Sequence, residues 1–224
     1  MSEKLREEDV KLLQLLQRMR AQIAHFAQDL DALKDTLAAM EHLLEERSLS
    51  LIKARDPLLQ GYGVRASDPS TGLLNNEAFG EALERVFATD EAFTVVTFEV
   101  DRFKEIRQRF GHPVADEVLR CIGQLVHRAL RVTDVAGRLD GESFALILRR
   151  IAGDRAFGVC ERLRMSVQKY PWNQLHPELK VTISLGFASR DDEATAQAVL
   201  ARADRFRAEA KSSGHNQTFP GMYY

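Results

Sequence analysis

The sequence predicts an α/β or α+β sandwich, one sheet covered by helices, preceded by a long coiled-coil helix. Three observations predict it. Residues 1–55 contain neither glycine nor proline and repeat apolar residues at helical spacing. Residues 56–67 include Pro57 and Gly61, which break that pattern and indicate a linker or hinge. From residue 68 onward, apolar runs typical of buried strands alternate with amphipathic stretches, as expected for helices packed on a sheet.

The first 55 residues carry the repeat of a coiled coil. Apolar residues recur at alternating spacings of four and three, which is the 3.5-residue period of a heptad. A lone helix would leave this stripe in water, so we expect a second copy of the chain, because symmetric dimers are the commonest oligomers. Leucine at both heptad core positions fixes neither the oligomer order nor the strand direction. The alternative is that the stripe packs on the chain's own globular part. The stripe comprises Leu12, Leu16, Met19, Ile23, Phe26, Leu30, Leu33, Leu37, Met40 and Leu44.

The globular part is expected over residues 68–216, with a C-terminal tail at 217–224. Asp140, Gly141 and Glu142 separate two predicted strands, which makes a hairpin whose glycine supplies the unusual backbone angles. In chain order, helices are predicted over 75–88, 103–110, 115–130, 155–169 and 193–212, and strands over 93–100, 135–139, 143–148 and 181–188.

Composition excludes several classes of function. A net charge of −2 over 224 residues gives no basic field for nucleic acid or an anionic membrane. The longest apolar runs are far shorter than a membrane span, and the N-terminus is too charged for a secretory signal, so we expect a cytoplasmic protein. The six histidines are scattered, and Cys121 and Cys160 form no metal-ligand spacing. We expect both cysteines to be reduced core residues.

Several motifs, in order, resemble those of the GGDEF domain, a relative of the palm fold of nucleotidyl cyclases and polymerases. The resemblance covers about Asp68 to Asn216, essentially the whole globular part. The segment 138–144, Arg-Leu-Asp-Gly-Glu-Ser-Phe, looks like a degenerate form of the family's GG(D/E)EF signature. The other matching segments are the opening motif at 68–75, the first strand and turn at 99–106, the late strand at 181–186 and the closing motif at 203–216.

The resemblance implies how an active member would use these positions. Active members join two GTP molecules into cyclic di-GMP, with carboxylates holding two divalent metal ions. Glu99 and Glu142 stand at the metal-binding positions, and both can still ligate magnesium. No cofactor is required otherwise, so Mg²⁺ is expected only if GTP binds. The positions of a vestigial GTP site are Lys104, Arg107, Asp116 and Lys211.

The catalytic positions depart from the family pattern, so we expect no catalytic residues. Ser143 replaces the signature's catalytic Glu, and a hydroxyl brings no negative charge. Asp140 replaces the first Gly, which adds bulk and charge where the turn approaches a phosphate; Gly141 remains. Arg107 replaces the Asn that hydrogen-bonds guanine, and arginine has donors only. His215 replaces a phosphate-binding Arg.

The family's product-binding positions are retained. Arg131 and Asp134 match the R-x-x-D pair that binds cyclic di-GMP in relatives, and Arg162 stands where a second arginine is supplied. Guanidinium groups bind guanine edges or phosphates in bidentate fashion, and a carboxylate accepts from guanine's ring NH and amino group. The simpler interpretation is a surface salt bridge worth little.

Together these features favour a non-catalytic cyclic di-GMP receptor that signals through protein partners. Two alternatives stay open, a weak or active diguanylate cyclase and a nucleotide-independent dimeric scaffold. The losses at Ser143 and Arg107 distinguish the receptor from the cyclase, and the retained Arg131 and Asp134 distinguish it from the scaffold.

Overall fold

A computed structural model of the chain describes residues 66–191 and 194–220 continuously. In the N-terminal region it describes residues 18–20, 22–26, 29, 30, 33, 34, 36 and 40, all helical. The chain divides into two units, residues 1–51 and 52–224. The rest of the predicted 1–55 coiled coil and most of the 56–67 linker lie outside the described residues.

The described residues of the heptad stripe are exposed. Phe26 is 72% exposed and Leu33 is 69% exposed, and Met19, Ile23, Leu30 and Met40 are each at least half exposed. A stripe of this kind on a helix is the surface that a partner helix would cover.

The second unit is a five-stranded sheet with helices on both faces. Its helices are α1 (Asn76–Phe87), α2 (Phe103–Phe110), α3 (His112–Ala129), α4 (Asp154–Lys169) and α5 (Ala196–Ser212). Its strands are β1 (Phe93–Val100), β2 (Val135–Asp140), β3 (Ser143–Arg149), β4 (Ile183–Ser189) and β5 (Thr218–Phe219), and a 3₁₀ turn spans Trp172–Gln174.

The strands lie in the order β2-β3-β1-β4-β5. All neighbours are antiparallel except β4 and β5, which are parallel. β1 is the central strand, and seven of its eight residues are buried. In its register Glu99 lies opposite Ser143 of β3, and Thr97 lies opposite Gly186 of β4.

Side chains alternate between two cores, one on each face of the sheet. Val96, Phe98 and Val100 point to the larger core, which α2, α3 and α4 cover; there Phe98 stacks on Phe144 with ring centroids 4.9 Å apart. Phe93 and Val95 point to the other core, beneath α1 and α5. Glu99 continues that second face, so its side chain is directed toward α5.

Most element boundaries lie within two residues of the sequence prediction. α3 begins at His112 rather than at residue 115, because Pro113 sits in its first turn, where no N–H is needed. α5 begins at Ala196 rather than at residue 193, where Thr195 caps it by accepting from the Ala198 N–H. The predicted tail contributes β5, since Thr218 pairs beside Leu185 of β4. Ser67, the last residue of the predicted 56–67 linker, pairs with Leu74. Both cysteines are buried and free, as expected.

Candidate functional site

The β2–β3 turn, which carries the degenerate signature, is held in a defined conformation. Arg138 donates from Nε and Nη2 to the Gly141 carbonyl oxygen, at 2.9 and 2.6 Å. The same guanidinium contacts Asp68, with Nη1 3.2 Å from Oδ1. Thr71 Oγ1 donates to that carboxylate at 2.7 Å. The turn is therefore anchored to the start of the domain, even though its sequence departs from the family pattern.

Glu99 lies beside this turn and is neutralised within the protein. Both of its carboxylate oxygens are bound by α5: Oε2 by Arg207 Nη1, and Oε1 by Lys211 Nζ at 2.5 Å. The Glu99 side chain is only 14% exposed. A carboxylate this buried requires a compensating positive charge, and α5 supplies two.

Two further carboxylates complete the cluster. Arg207 Nε donates to Asp204 Oδ1 at 2.8 Å, so one guanidinium joins Glu99 and Asp204. Burial raises the pKa of Asp204, and the neighbouring charge of Asp140 raises it further, while Lys211 lowers it. The Asp140 side chain, which replaces glycine in the turn, thus adds its charge close to α5.

The predicted GTP-binding positions are divided by the fold. Lys104, Arg107 and Asp116 are exposed on α2 and α3. Lys211 is instead engaged with Glu99. His215 Nδ1 lies 2.8 Å from the Lys211 carbonyl oxygen. Lys211, one of the predicted GTP-binding residues, is therefore committed to an ion pair with Glu99.

Asp101 is a buried carboxylate for which the sequence predicted no role. It accepts hydrogen bonds from Thr182 Oγ1 at 2.7 Å, from Ser184 Oγ at 2.6 Å and from the Asn216 backbone N–H at 2.9 Å. It thereby joins the end of β1 to β4 and to the loop before β5. A cleft of about 390 Å³ opens beside it, between α2 and that loop. The sequence signal for such a role was the position of Asp101 directly after the buried strand β1.

The retained R-x-x-D pair forms a preorganised loop between α3 and β2. Asp134 Oδ2 accepts from the Arg131 backbone N–H at 3.0 Å, and Oδ1 accepts from the Arg149 backbone N–H at 3.2 Å. Burial raises the pKa of Asp134, and the two backbone hydrogen bonds oppose that rise. A carboxylate has about four acceptor positions, so two remain for a ligand. Both of these hydrogen bonds come from backbone N–H groups, so the main chain holds Asp134 in place.

The structure brings Arg162 to the same surface. Its Nη2 donates to the carbonyl oxygen of Ala129, the last residue of α3, at 3.1 Å. Arg131 and Arg162 are both exposed, and so is Val132 between the pair residues, at 52%. The exposed arginines and the fixed carboxylate therefore belong to one region.

Two neighbouring arginines, at the end of β3 and just after it, pair with Glu91. Arg149 Nε donates to Glu91 at 2.9 Å, and Arg150 Nε lies 3.2 Å from the same carboxylate. The hydrogen bond from Arg149 is the largest of the effects that lower the pKa of Glu91, and both positive charges add to it. Arg149 donates its backbone N–H to the Asp134 carboxylate, while its side chain hydrogen-bonds to Glu91.

The fold, the hairpin and the order of motifs define a nucleotidyl cyclase palm-like domain. The family model described as "Diguanylate cyclase, GGDEF domain" matches residues 65–217, and the chain belongs to the GGDEF family. The response regulator PleD of Caulobacter vibrioides is 32% identical over 169 residues, which are 72% of this chain and 37% of PleD. The chain likewise spans less than half the length of other curated relatives that it matches.

Two solved structures extend over the N-terminal region as well. The coiled coil and GGDEF domain of DgcB from Caulobacter crescentus, in complex with c-di-GMP (cyclic di-GMP), is 26% identical with a TM-score of 0.63, covering 83% of this chain and 95% of that one. The diguanylate cyclase SiaD from Pseudomonas aeruginosa, in complex with its activator SiaC, is 27% identical with a TM-score of 0.65, covering 96% and 87%.

Diguanylate cyclases of this family normally use Mg²⁺ with GTP, and the residues at the signature turn do not fit that ion. Mg²⁺ requires near-octahedral oxygen ligands. Both Glu99 oxygens contact cations, and Ser143 offers a neutral hydroxyl. Glu142 is half-buried at the turn. Across residues 66–191 and 194–220, and the described part of the N-terminal helix, no group of three or more His, Cys, Asp or Glu side chains could hold a metal.

None of the helices in the described part of the chain combines the length and the apolar character needed to cross a bilayer.

Proposed function

We propose that this protein is a non-catalytic cyclic di-GMP receptor that binds its ligand at Arg131, Asp134 and Arg162. The observation that carries the proposal is the contrast between two sites of one domain. Beside the signature turn, the carboxylate of Glu99 is neutralised by Arg207 and Lys211 of α5. At the R-x-x-D loop, the carboxylate is fixed by backbone amides while the arginines are exposed.

The chemistry of the loop suits a guanine base and a phosphodiester. The free acceptor positions of Asp134 can receive the ring NH and amino group of guanine, and the two guanidinium groups can bind the Hoogsteen edge or the phosphates. Because Asp134 is held before the ligand arrives, binding has only the two arginines to order. The crystal structure of DgcB with c-di-GMP supports this choice of ligand.

The receptor proposal predicts that Arg131→Ala weakens cyclic di-GMP binding by at least roughly 2 kcal/mol, about 30-fold, because a bidentate charge-assisted contact is lost. Isothermal titration calorimetry measures the dissociation constant. Arg150→Ala is the matched control: it removes an exposed arginine that pairs with Glu91, and the affinity of this variant for cyclic di-GMP should stay at the wild-type value. Equal binding by wild type and Arg131→Ala contradicts the proposed site. No binding at all by the wild type leaves the nucleotide-independent scaffold.

We further propose that the receptor is a homodimer assembled through its N-terminal helix and that protein partners read its state. The exposed heptad residues support this, since a second copy would cover them. SiaD, which has a protein activator, gives a precedent in the family for a protein partner.

The dimer proposal predicts that Leu30→Lys shifts the full-length protein toward monomer. The substitution places a charge in an apolar layer that dimerisation would remove from water. Multi-angle light scattering gives the mass directly. Ala24→Lys adds the same charge to an exposed helical residue one position after Ile23, outside the stripe, and should leave the dimer intact. A wild-type protein that is monomeric at micromolar concentration contradicts the dimer.

A further inference from the structure

We propose that Arg207 is a built-in counter-ion that takes the place of a divalent metal at Glu99. This role concerns the signature site and does not depend on ligand binding at the R-x-x-D loop. Glu99 stands at the family's metal-binding position, but the Arg207 guanidinium and the Lys211 ammonium bind both of its carboxylate oxygens. Their two charges equal the charge of one divalent ion.

The backbone explains why Arg207 reaches β1. α5 lies so close to β4 that a Cβ built on Gly186 would be 2.0 Å from the Arg207 backbone nitrogen. Gly186 lies opposite Thr97 of β1, two residues before Glu99 on the same sheet face. This close packing sets the start of the Arg207 side chain above the central strand, within reach of Glu99.

Two cations offset the two carboxylates that contact Arg207. Its guanidinium contacts Glu99 and Asp204, and Lys211 contacts Glu99, while Asp140 adds a third negative charge nearby. The Arg207 side chain is 16% exposed and the Glu99 side chain 14%. Arginine stays protonated at all physiological pH values, so the neutralisation is permanent, whereas a bound metal ion can leave.

The structure therefore assigns Arg207 the role of excluding the metal. With Arg207 in place, a divalent ion at Glu99 would meet two positive charges within a few ångströms. Without it, Glu99 would lose one of its two cations and regain an oxygen for a metal, with the Asp204 carboxylate released from Arg207 nearby.

The test compares Mn²⁺ binding and thermal stability in wild type and Arg207→Leu. Wild type should show no Mn²⁺ site by electron paramagnetic resonance titration, and its Tm should not respond to Mg²⁺ or Mn²⁺. In EDTA, Arg207→Leu should melt roughly 6–12 °C lower, because a buried pair has been broken. It should bind Mn²⁺ at least ~10-fold more tightly than wild type, and Mn²⁺ should raise its Tm.

Further variants separate loss of the Arg207 charge from a general loss of folding. Arg205→Leu, an exposed arginine on the same helix, should behave as wild type in both measurements. Arg207→Leu combined with Glu99→Gln should lose the Mn²⁺ site and recover stability. If Arg207→Leu does not fold, Arg207→Lys keeps the charge and should still bind no Mn²⁺. A stoichiometric Mn²⁺ site in wild type that Glu99→Gln abolishes overturns the proposal, and so does a folded Arg207→Leu without Mn²⁺ affinity.

Discussion

Purified protein incubated with GTP and Mg²⁺ is expected to yield no cyclic di-GMP above background. Three defects act together: Ser143 brings no carboxylate, Arg107 cannot supply the donor-and-acceptor pairing of asparagine, and Glu99 is held by Arg207 and Lys211. Removing one preorganised charged group from an active site typically costs ~10²–10³ in rate. The combined loss places turnover below detection by chromatography.

Restoring the signature alone should not restore the reaction. The double variant Asp140→Gly and Ser143→Glu recreates the family turn, yet it leaves Glu99 paired with Arg207 and Lys211. We expect no product from this variant either, with an active GGDEF enzyme assayed in parallel as the positive control. Product made by the wild type and abolished by Glu142→Ala would establish a functional cyclase. Product made by the double variant alone would show that the Glu99 pairing does not block catalysis.

The largest effect on stability is expected from Gly186→Ala. The added methyl would lie 2.0 Å from the Arg207 backbone nitrogen and 2.2 Å from the Ala203 carbonyl oxygen. These are backbone atoms of α5, so the whole helix must move off β4. We expect a loss on the order of 4 kcal/mol or more in the free energy of unfolding, a large part of the stability of a typical domain.

Urea denaturation of the isolated variants measures this loss, and Gly80→Ala is the control. Gly80 lies inside α1 with no neighbouring atom within 4 Å of an added Cβ. That substitution should stabilise the protein by about 0.5–1 kcal/mol, since alanine is the better helix former. An unchanged denaturation midpoint for Gly186→Ala would mean that α5 does not pack as closely on β4 as described.

The sequence predicted the elements of the domain because their signals are local. The β-branched, apolar run from Phe93 to Val100 gave both ends of β1, and the asparagine before α1 caps it, with Asn75 Oδ1 accepting from Ala78 N–H at 2.9 Å. β5 could not be predicted, because two residues carry no periodicity. It exists through tertiary pairing, since Leu185 donates to the Gln217 carbonyl oxygen at 2.9 Å.

The sequence predicted candidate site positions but none of the contacts between them. Motif order put Glu99 and Lys211 among the expected functional positions of the family, and that assignment stays a prediction. Their contact joins residues 112 positions apart and depends on how close α5 lies to β4. Arg207 carried no signal of its own, since an arginine on an amphipathic helix normally faces solvent. The sequence likewise gave no signal that the backbone N–H groups of Arg131 and Arg149 hold the Asp134 carboxylate.

The internal pairing of Glu99 has a consequence for information flow in the cell. A protein that both read cyclic di-GMP and made it would change the concentration that it measures, and its output would follow the supply of GTP and magnesium. On the proposed function, a receptor whose Glu99 is held by Arg207 and Lys211 is free of that feedback. Its response would depend on the second messenger alone, and its threshold would be set by the affinity of the Arg131–Asp134 loop.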